Sequence, residues 1–108
     1  MALIKTVTIE TTGNSLTVTI TDGPNYPAAT AQVTVIPFTM GVVVPPPQDD
    51  HGSPMRTLVF APLKNGDYAV TVVCSGKTDG TLVTIPSENH AEVVLDETNF
   101  GVWLGEHP

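Results

Sequence analysis

Two aspartates and a histidine stand side by side in "VVVPPPQDDHGSP", residues 42–54, and form the closest cluster of metal-ligand types in the chain. Carboxylates and imidazoles bind divalent cations, but a defined site needs further ligands at fixed spacing. The other two histidines are distant in sequence. We therefore expect Asp49, Asp50 and His51 to form a solvated loop tip, with no metal and no other cofactor.

Nucleophilic and acid–base chemistry is also weakly supported. Cys74 is the one cysteine, and its place in an alternating segment indicates a small buried hydrophobic residue. No G-x-S-x-G motif is present. Paired carboxylates for glycoside cleavage could come from the acidic residues near the C-terminus, Glu88, Glu92, Asp96 and Glu97. Charge at this density is more typical of a solvated sheet edge, so we expect no enzyme.

Composition and charge limit the class of protein and its partners. The 108 residues suit a single domain, residues 1–108, and 41% hydrophobic with only 14% charged residues argues against disorder. The formal net charge is −7, and the few basic residues form no cluster. Nucleic acid and anionic membranes are therefore not expected as partners. The N-terminal segment lacks the pattern of a signal peptide, which predicts synthesis in a cytosol.

Alternation of apolar and polar residues predicts strands along most of the chain. In "SLTVTIT" (15–21), Leu16, Val18 and Ile20 would face inward, and "TGN" (12–14) would join this strand to "LIKTVTIE" (3–10). A turn is predicted at "GKTDG" (76–80). Further strands are predicted at 31–38, 40–44, 56–61, 67–75, 81–86, 90–95 and 100–104. This pattern predicts an all-β, antiparallel β-sandwich of about seven to nine strands.

One stretch is more specific. "APLKNGDYAVTVVCSG" (61–76) resembles the tyrosine corner of immunoglobulin-like sandwiches, with a turn followed by Tyr68 and an alternating strand. The resemblance implies that the Tyr68 hydroxyl hydrogen-bonds to the backbone of that turn. The disulfide of antibody domains is absent, and Trp103 is not at the position of their core tryptophan.

Partner binding is the remaining functional expectation. The proline run favours the polyproline II conformation, which predicts a stiff arm that projects between strands. Tyr26 lies in a proline-punctuated loop, and the terminal aromatic residues either pack on the sandwich or anchor a partner. The candidate partner-binding residues are Pro45, Pro46, Pro47, Asp49, Asp50, His51, Tyr26, Phe100 and Trp103.

In architecture and composition, the chain is similar to small capsid decoration (cement) proteins of tailed bacteriophages. That resemblance implies a non-enzymatic virion protein, made in the host cytoplasm, whose protein partner is the outer surface of a phage head. The alternative is a carbohydrate- or cell-surface-binding module of a larger assembly, and a third is a subunit of another intracellular complex. An exposed edge strand would also permit a homo-oligomer.

Overall fold

A computed structural model describes residues 3–23, 30–74 and 76–96. These residues form eight strands, which confirms the predicted all-β antiparallel sandwich. No helix among them is long and apolar enough to cross a membrane. The strands are β1 (Leu3–Gly13), β2 (Ser15–Asp22), β3 (Ala31–Pro37), β4 (Gln48–Asp49), β5 (Met55–Phe60), β6 (Gly66–Cys74), β7 (Lys77–Ile85) and β8 (Ser87–Asp96).

The strands form two antiparallel four-stranded sheets. The first sheet has the order β5-β2-β1-β8, and the second has the order β4-β3-β6-β7. Only Pro86 separates β7 from β8, so an almost continuous stretch of chain passes from the edge of the second sheet to the edge of the first. This crossing places the two strands beside each other at one open side of the sandwich.

The core lies between the inward faces of the two sheets. Strands rich in Val, Ile and Thr favour this arrangement, because β-branched side chains pack well on a pleated surface. The predicted inward residues of β2 are fully buried, as are Val7 and Ile9 on β1. The second sheet contributes the alternating residues of β3 and β6, Val33, Val35, Tyr68, Val70, Val72 and Cys74.

The hydrogen bond predicted for the Tyr68 hydroxyl is present. The Tyr68 hydroxyl, which is buried, donates to the Lys64 carbonyl oxygen at 2.6 Å. The same turn is fastened to the β1–β2 hairpin: the Leu63 N–H donates to the Asn14 carbonyl at 2.8 Å, and Asn14 Nδ2 donates to the Leu63 carbonyl at 2.7 Å. The connection from β5 to β6 is therefore held to both sheets.

Two predicted elements are wrong. Residues 40–44 form no strand, and Met40, Val43 and Val44 are exposed. These valines run directly into three prolines, which lack the N–H groups that a sheet requires. The turn predicted at 76–80 is also wrong, because β7 already begins at Lys77, which pairs with Cys74. Asp and Gly favour turns in general, and here they lie within a strand. The strand predicted at 100–104 lies outside the described residues.

Candidate functional site

The segment 42–54 divides into two parts that differ in their contacts. Residues 42–47 have no regular structure, and Pro46 and Pro47 are exposed while Pro45 is half-buried. Residues 48–49 form β4, which pairs with β3, and Gln48 Nε2 donates to the Val59 carbonyl of β5 at 2.8 Å. The prediction of a projecting arm is therefore wrong for the second part, which packs against the sandwich.

Asp49 and Asp50 are adjacent but lie in opposite environments. Asp49 is half-buried, and its Oδ1 accepts from the His51 N–H at 2.9 Å and lies 2.8 Å from His51 Nδ1. His51 is exposed, as predicted, and has a φ of +52°. Asp50 is fully buried, so the predicted solvated loop tip is wrong for this residue. No group of three or more His, Cys, Asp or Glu side chains within the described ranges is placed to hold a metal ion.

Asp50 meets a buried lysine from the first strand. Lys5 Nζ donates to Asp50 Oδ2 at 2.7 Å and also donates to Asp22 Oδ1. The side chain of Lys5 is 1% exposed, that of Asp50 is 0% exposed, and that of Asp22 is 15% exposed. One ammonium group therefore lies between two carboxylates, with the end of β2 on one side and the segment after β4 on the other.

Backbone donors hold the other oxygen of the Asp50 carboxylate. The N–H groups of Ala31 and Gly52 donate to Oδ1 at 2.9 Å and 3.0 Å. The Asp50 N–H in turn donates to the Ala31 carbonyl at 3.1 Å, and the Ser53 N–H donates to the Asp50 carbonyl at 2.9 Å. The two oxygens thus have different partners, since Oδ2 contacts the amine and Oδ1 lies between two amide N–H groups.

Burial and hydrogen bonding act on these charges in opposite directions. Burial lowers the pKa of the Lys5 amine, but its hydrogen bonds to Asp22 and Asp50 outweigh this effect and leave the pKa raised. Burial raises the pKa of the Asp50 carboxyl, but the hydrogen bonds from Lys5, Ala31 and Gly52 leave it lowered. Both shifts favour the charged forms of Lys5 and Asp50, which meet as an ion pair shielded from water.

Sequence reasoning missed this cluster, although one signal was available. Lys5 has the same parity as Val7 and Ile9, whose side chains face the core. A lysine at an inward position of an alternating strand needs a buried partner. The partner could not be identified, because Asp50 is separated from Lys5 by 45 positions and lies in a segment without strand periodicity.

A second feature is a group of exposed apolar side chains on the outer face of the second sheet. Ile36, Ala69 and Leu82 are directly opposite one another on β3, β6 and β7. Phe38 continues the outward side of β3, and its N–H donates to the Asp67 carbonyl at 3.0 Å. Ile36 is 44% exposed, Phe38 is 59% exposed and Leu82 is 67% exposed. We call Ile36, Phe38, Ala69 and Leu82 the outer patch.

The outer face of the first sheet differs in chemistry. Threonines occupy the centre of this face, and the hydroxyls of Thr19 and Thr57 are 3.3 Å apart. The exposed apolar residues of this face, Met55, Val59 and Val94, lie on the two edge strands β5 and β8. The outer patch instead spans three neighbouring strands, so the two faces of the sandwich present different surfaces.

A groove lies beside the outer patch, where β7 crosses to β8. Its volume is about 260 Å³, and Leu82 lines it together with Ile9, Thr84, Asn89 and His90. Both apolar and polar side chains line the groove. Leu82 therefore belongs both to the outer patch and to the adjoining groove.

Three predicted partner-binding residues, Tyr26, Phe100 and Trp103, lie outside the described residues. Phe60 and Tyr68 are buried in the core. Phe38 is thus the exposed aromatic residue within the described ranges, and it was not among the predicted partner-binding residues. Its position at the end of the predicted strand 31–38, directly after Pro37, did not distinguish an exposed position from a buried one.

The chain was compared with protein families, curated proteins and solved structures. No protein-family model, no curated protein and no solved structure matches this chain.

Proposed function

We propose that this protein is a non-enzymatic structural protein that docks onto a protein assembly through the outer patch. The specific assembly that we propose is the outer surface of a bacteriophage head, which would make the protein a capsid decoration protein. It would be synthesised in the host cytoplasm and carried on the virion. The outer patch is the single observation that carries the docking proposal.

The outer patch has the properties of an interface centre. Large apolar side chains rarely form contiguous exposed groups on monomeric proteins unless they bind something. Ile36, Phe38 and Leu82 surround the small residue Ala69, so a partner side chain can approach the sheet between them. The adjoining groove supplies a concave site for a further anchor, as interface hot spots commonly use.

Charge supports a partner that is apolar at the centre of its docking surface and basic around it. The formal net charge of the chain is −7. Asp67 is exposed and lies between Phe38 and Thr84 across the second sheet, so one acidic group lies directly beside the outer patch. Opposite charges would accelerate the encounter and orient the partner, while burial of the patch would supply most of the affinity.

The immunoglobulin-like assignment is part of the same proposal. The Tyr68 hydrogen bond to the Lys64 carbonyl and the two packed antiparallel sheets are features of that class. Sandwiches of this class present loops and sheet faces for binding, but the fold alone does not determine a partner. The exposed side chains of the outer patch therefore support docking, whereas the fold alone does not.

Co-sedimentation with undecorated phage heads tests the proposal. Leu82→Asp places a charge in the centre of the outer patch, and we expect at least a tenfold loss of bound protein, a factor that corresponds to about 1.4 kcal/mol. Val59→Asp is the matched control, because Val59 is 53% exposed on the outer face of the first sheet. The control should bind like the unmodified protein, and both variants should retain the unfolding temperature.

Three outcomes would overturn this assignment. Failure of the unmodified protein to sediment with heads would exclude the capsid as the partner. Equal binding by Leu82→Asp and Val59→Asp would exclude the outer patch as the docking surface. A protein that is dimeric alone and monomeric as Leu82→Asp would make the patch a contact between two copies. Deletion of residues 46–53 is not a suitable test, because it removes β4 and the buried Asp50.

A further inference from the structure

We propose that Lys5 and Asp50 become joined by an amide bond between Lys5 Nζ and Asp50 Cγ, with Asp22 carrying the protons. The chain would thus cross-link its first strand to the segment after β4 without any cofactor. This inference concerns the interior of the sandwich and does not depend on the docking function.

The nucleophile and the electrophile are held together away from water. Lys5 Nζ is 2.7 Å from Asp50 Oδ2, and both side chains are almost completely buried. Reactants fixed in this way behave as if present at very high concentration, because the entropy of bringing them together has already been lost on folding. Exclusion of water also strengthens each electrostatic interaction in the site.

The surroundings of Asp50 suit attack at its carboxyl carbon. The Ala31 and Gly52 N–H groups donate to Oδ1, at 2.9 Å and 3.0 Å. When the amine adds to Cγ, negative charge develops on one carboxyl oxygen. Two fixed amide donors at Oδ1 would stabilise that charge, in the way that an oxyanion hole does. Oδ2, on the side of the amine, would be the oxygen that leaves.

Asp22 is placed to move protons to and from the amine. Its Oδ1 accepts a hydrogen bond from the same Lys5 Nζ, so a proton can pass directly between the two groups. A carboxylate at this position acts first as a general base and then as a general acid. Asp22 is 15% exposed, whereas the other two side chains are enclosed, so the water that is formed can leave on its side of the cluster.

The atoms and charges of the reaction balance. The Lys5 ammonium gives one proton to the Asp22 carboxylate, which passes it to Asp50 Oδ2. The neutral amine then adds to Cγ of the protonated carboxyl, and one negative charge develops on Oδ1. Asp22 accepts a second proton from the nitrogen and passes this proton to Oδ2 as well. The C–Oδ2 bond breaks and one water molecule leaves. The nitrogen retains one hydrogen, Oδ1 becomes the amide oxygen, and Asp22 returns to the carboxylate.

Burial also favours the product. Before reaction, the site contains one ammonium and two carboxylates in a place with little water. Isolation of such charges from solvent is unfavourable, even when they are paired. Amide formation removes one positive and one negative charge together, and the Ala31 and Gly52 N–H groups keep an acceptor in the new carbonyl oxygen.

Intact-mass measurement of the purified full chain tests the proposal. We expect a mass below the sequence mass by one water molecule. Proteolysis after Glu10 should separate residues 1–10 from residues 11–88 in an unlinked chain, whereas the linked chain should keep these two fragments joined under denaturing conditions. Unmodified protein at its full sequence mass, with the two fragments separate, would overturn the proposal.

Variants identify the atoms involved. Lys5→Arg keeps the positive charge but removes the primary amine, so its mass should equal its sequence mass. Asp49→Asn is the matched control, because this neighbouring carboxylate bonds to His51, and it should still lose water. Asp22→Asn should form the link much more slowly than the unmodified chain. A loss of water that persists in Lys5→Arg would instead indicate cyclisation elsewhere, for example at Asp22-Gly23, and would overturn the proposal.

Asp50→Asn gives an independent test that does not depend on how well Asp22→Asn folds. Attack on the asparagine amide would expel ammonia, and the product would be the same amide as in the unmodified chain. The linked forms of the two proteins should therefore have identical masses, although their sequence masses differ. Loss of water by Asp50→Asn would overturn Asp50 as the linked residue.

Discussion

Replacement of Asp50 by alanine is the most direct test of how the segment 42–54 is held. The substitution removes the carboxylate that accepts from Lys5 Nζ and from the N–H groups of Ala31 and Gly52. Lys5 would keep Asp22 as its acceptor, but it would lose the fully buried carboxylate on its other side. We expect a large loss of stability from a change to one side chain in a loop.

The size of the loss follows from the burial of these groups. Removing one partner of a buried ion pair costs about 3–5 kcal/mol, because the other charge remains out of water. Each buried N–H left without an acceptor adds about 1–3 kcal/mol where water cannot reach it. Total folding stabilities are about 5–15 kcal/mol, so Asp50→Ala should remove a large share of the stability. The proposed amide would make the loss larger, since a cross-link restricts the unfolded chain.

Urea unfolding followed by circular dichroism measures this effect. With a slope of about 2 kcal/mol per molar, a loss of about 4 kcal/mol lowers the midpoint by about 2 M. Asp49→Ala is the matched control, since it removes the adjacent carboxylate, whose partner His51 is exposed. A surface pair of this kind contributes about 0–1 kcal/mol, so the control should shift the midpoint little.

A similar midpoint for the two variants, within about 0.5 M, would refute the reasoning. That result would mean that Asp50 is not enclosed in solution, and it would remove the geometric basis for the Lys5–Asp50 amide. A large loss of stability in both Asp50→Ala and Asp49→Ala would show instead that the segment does not tolerate removal of either carboxylate. The burial of Asp50 would then not explain the loss.

Two further substitutions test the second sheet. Tyr68→Phe removes the hydroxyl that donates to Lys64, and we expect a loss of about 1 kcal/mol, seen as a fall of about 4–8 °C in the thermal unfolding midpoint; an unchanged midpoint would contradict a stabilising role for this bond. Gly80→Ala would place a Cβ atom 2.3 Å from the Val70 carbonyl oxygen, so β6 and β7 must move apart at a cost of about 1–3 kcal/mol. The neighbouring exposed residue gives the control Thr78→Ala, and equal unfolding midpoints for these two variants would argue against the close approach.

Local patterns in the sequence were sufficient for much of the fold. The alternation in β2 identified Leu16, Val18 and Ile20 as core residues, and all three are buried. The resemblance of residues 61–76 to a tyrosine corner implied a specific hydrogen bond of Tyr68, which is present. The first inference follows from backbone periodicity and the second from that resemblance, and both concern residues close together in the chain.

The failures concern residues whose environment is set by distant parts of the chain. Val43 and Val44 have strand-forming side chains, but no strand among the described residues pairs with them, and they are exposed. Gly80 appeared in a turn-like context, yet the path of β6 requires a residue without a side chain at that point in β7. Propensity describes what a segment can form, whereas the partner strand decides what it does form.

The dependence on distant contacts also explains why the sequence pointed to an exposed cluster of Asp49, Asp50 and His51, whereas the structure has a buried cluster of Asp50 and Lys5. A pair of aspartates before a histidine suggested one solvated cluster, because nothing local separates Asp49 from Asp50. The backbone of Asp50 pairs with Ala31 and directs the carboxylate toward Lys5, whereas Asp49 faces His51. Adjacent residues thus have different roles, and only the tertiary contact distinguishes them.

This anchoring bears on the docking proposal. At one end, the Phe38 N–H bonds to Asp67, and at the other end β4 and Asp50 fix the chain to β3 and Lys5. The exposed residues between these two points are therefore restrained at both ends, and three consecutive prolines restrict them further. A segment restrained before binding loses less conformational entropy when a partner covers it. The buried charge cluster would thus favour docking indirectly, because it holds the segment that continues from Phe38 in place while its own side chains remain out of reach of the partner.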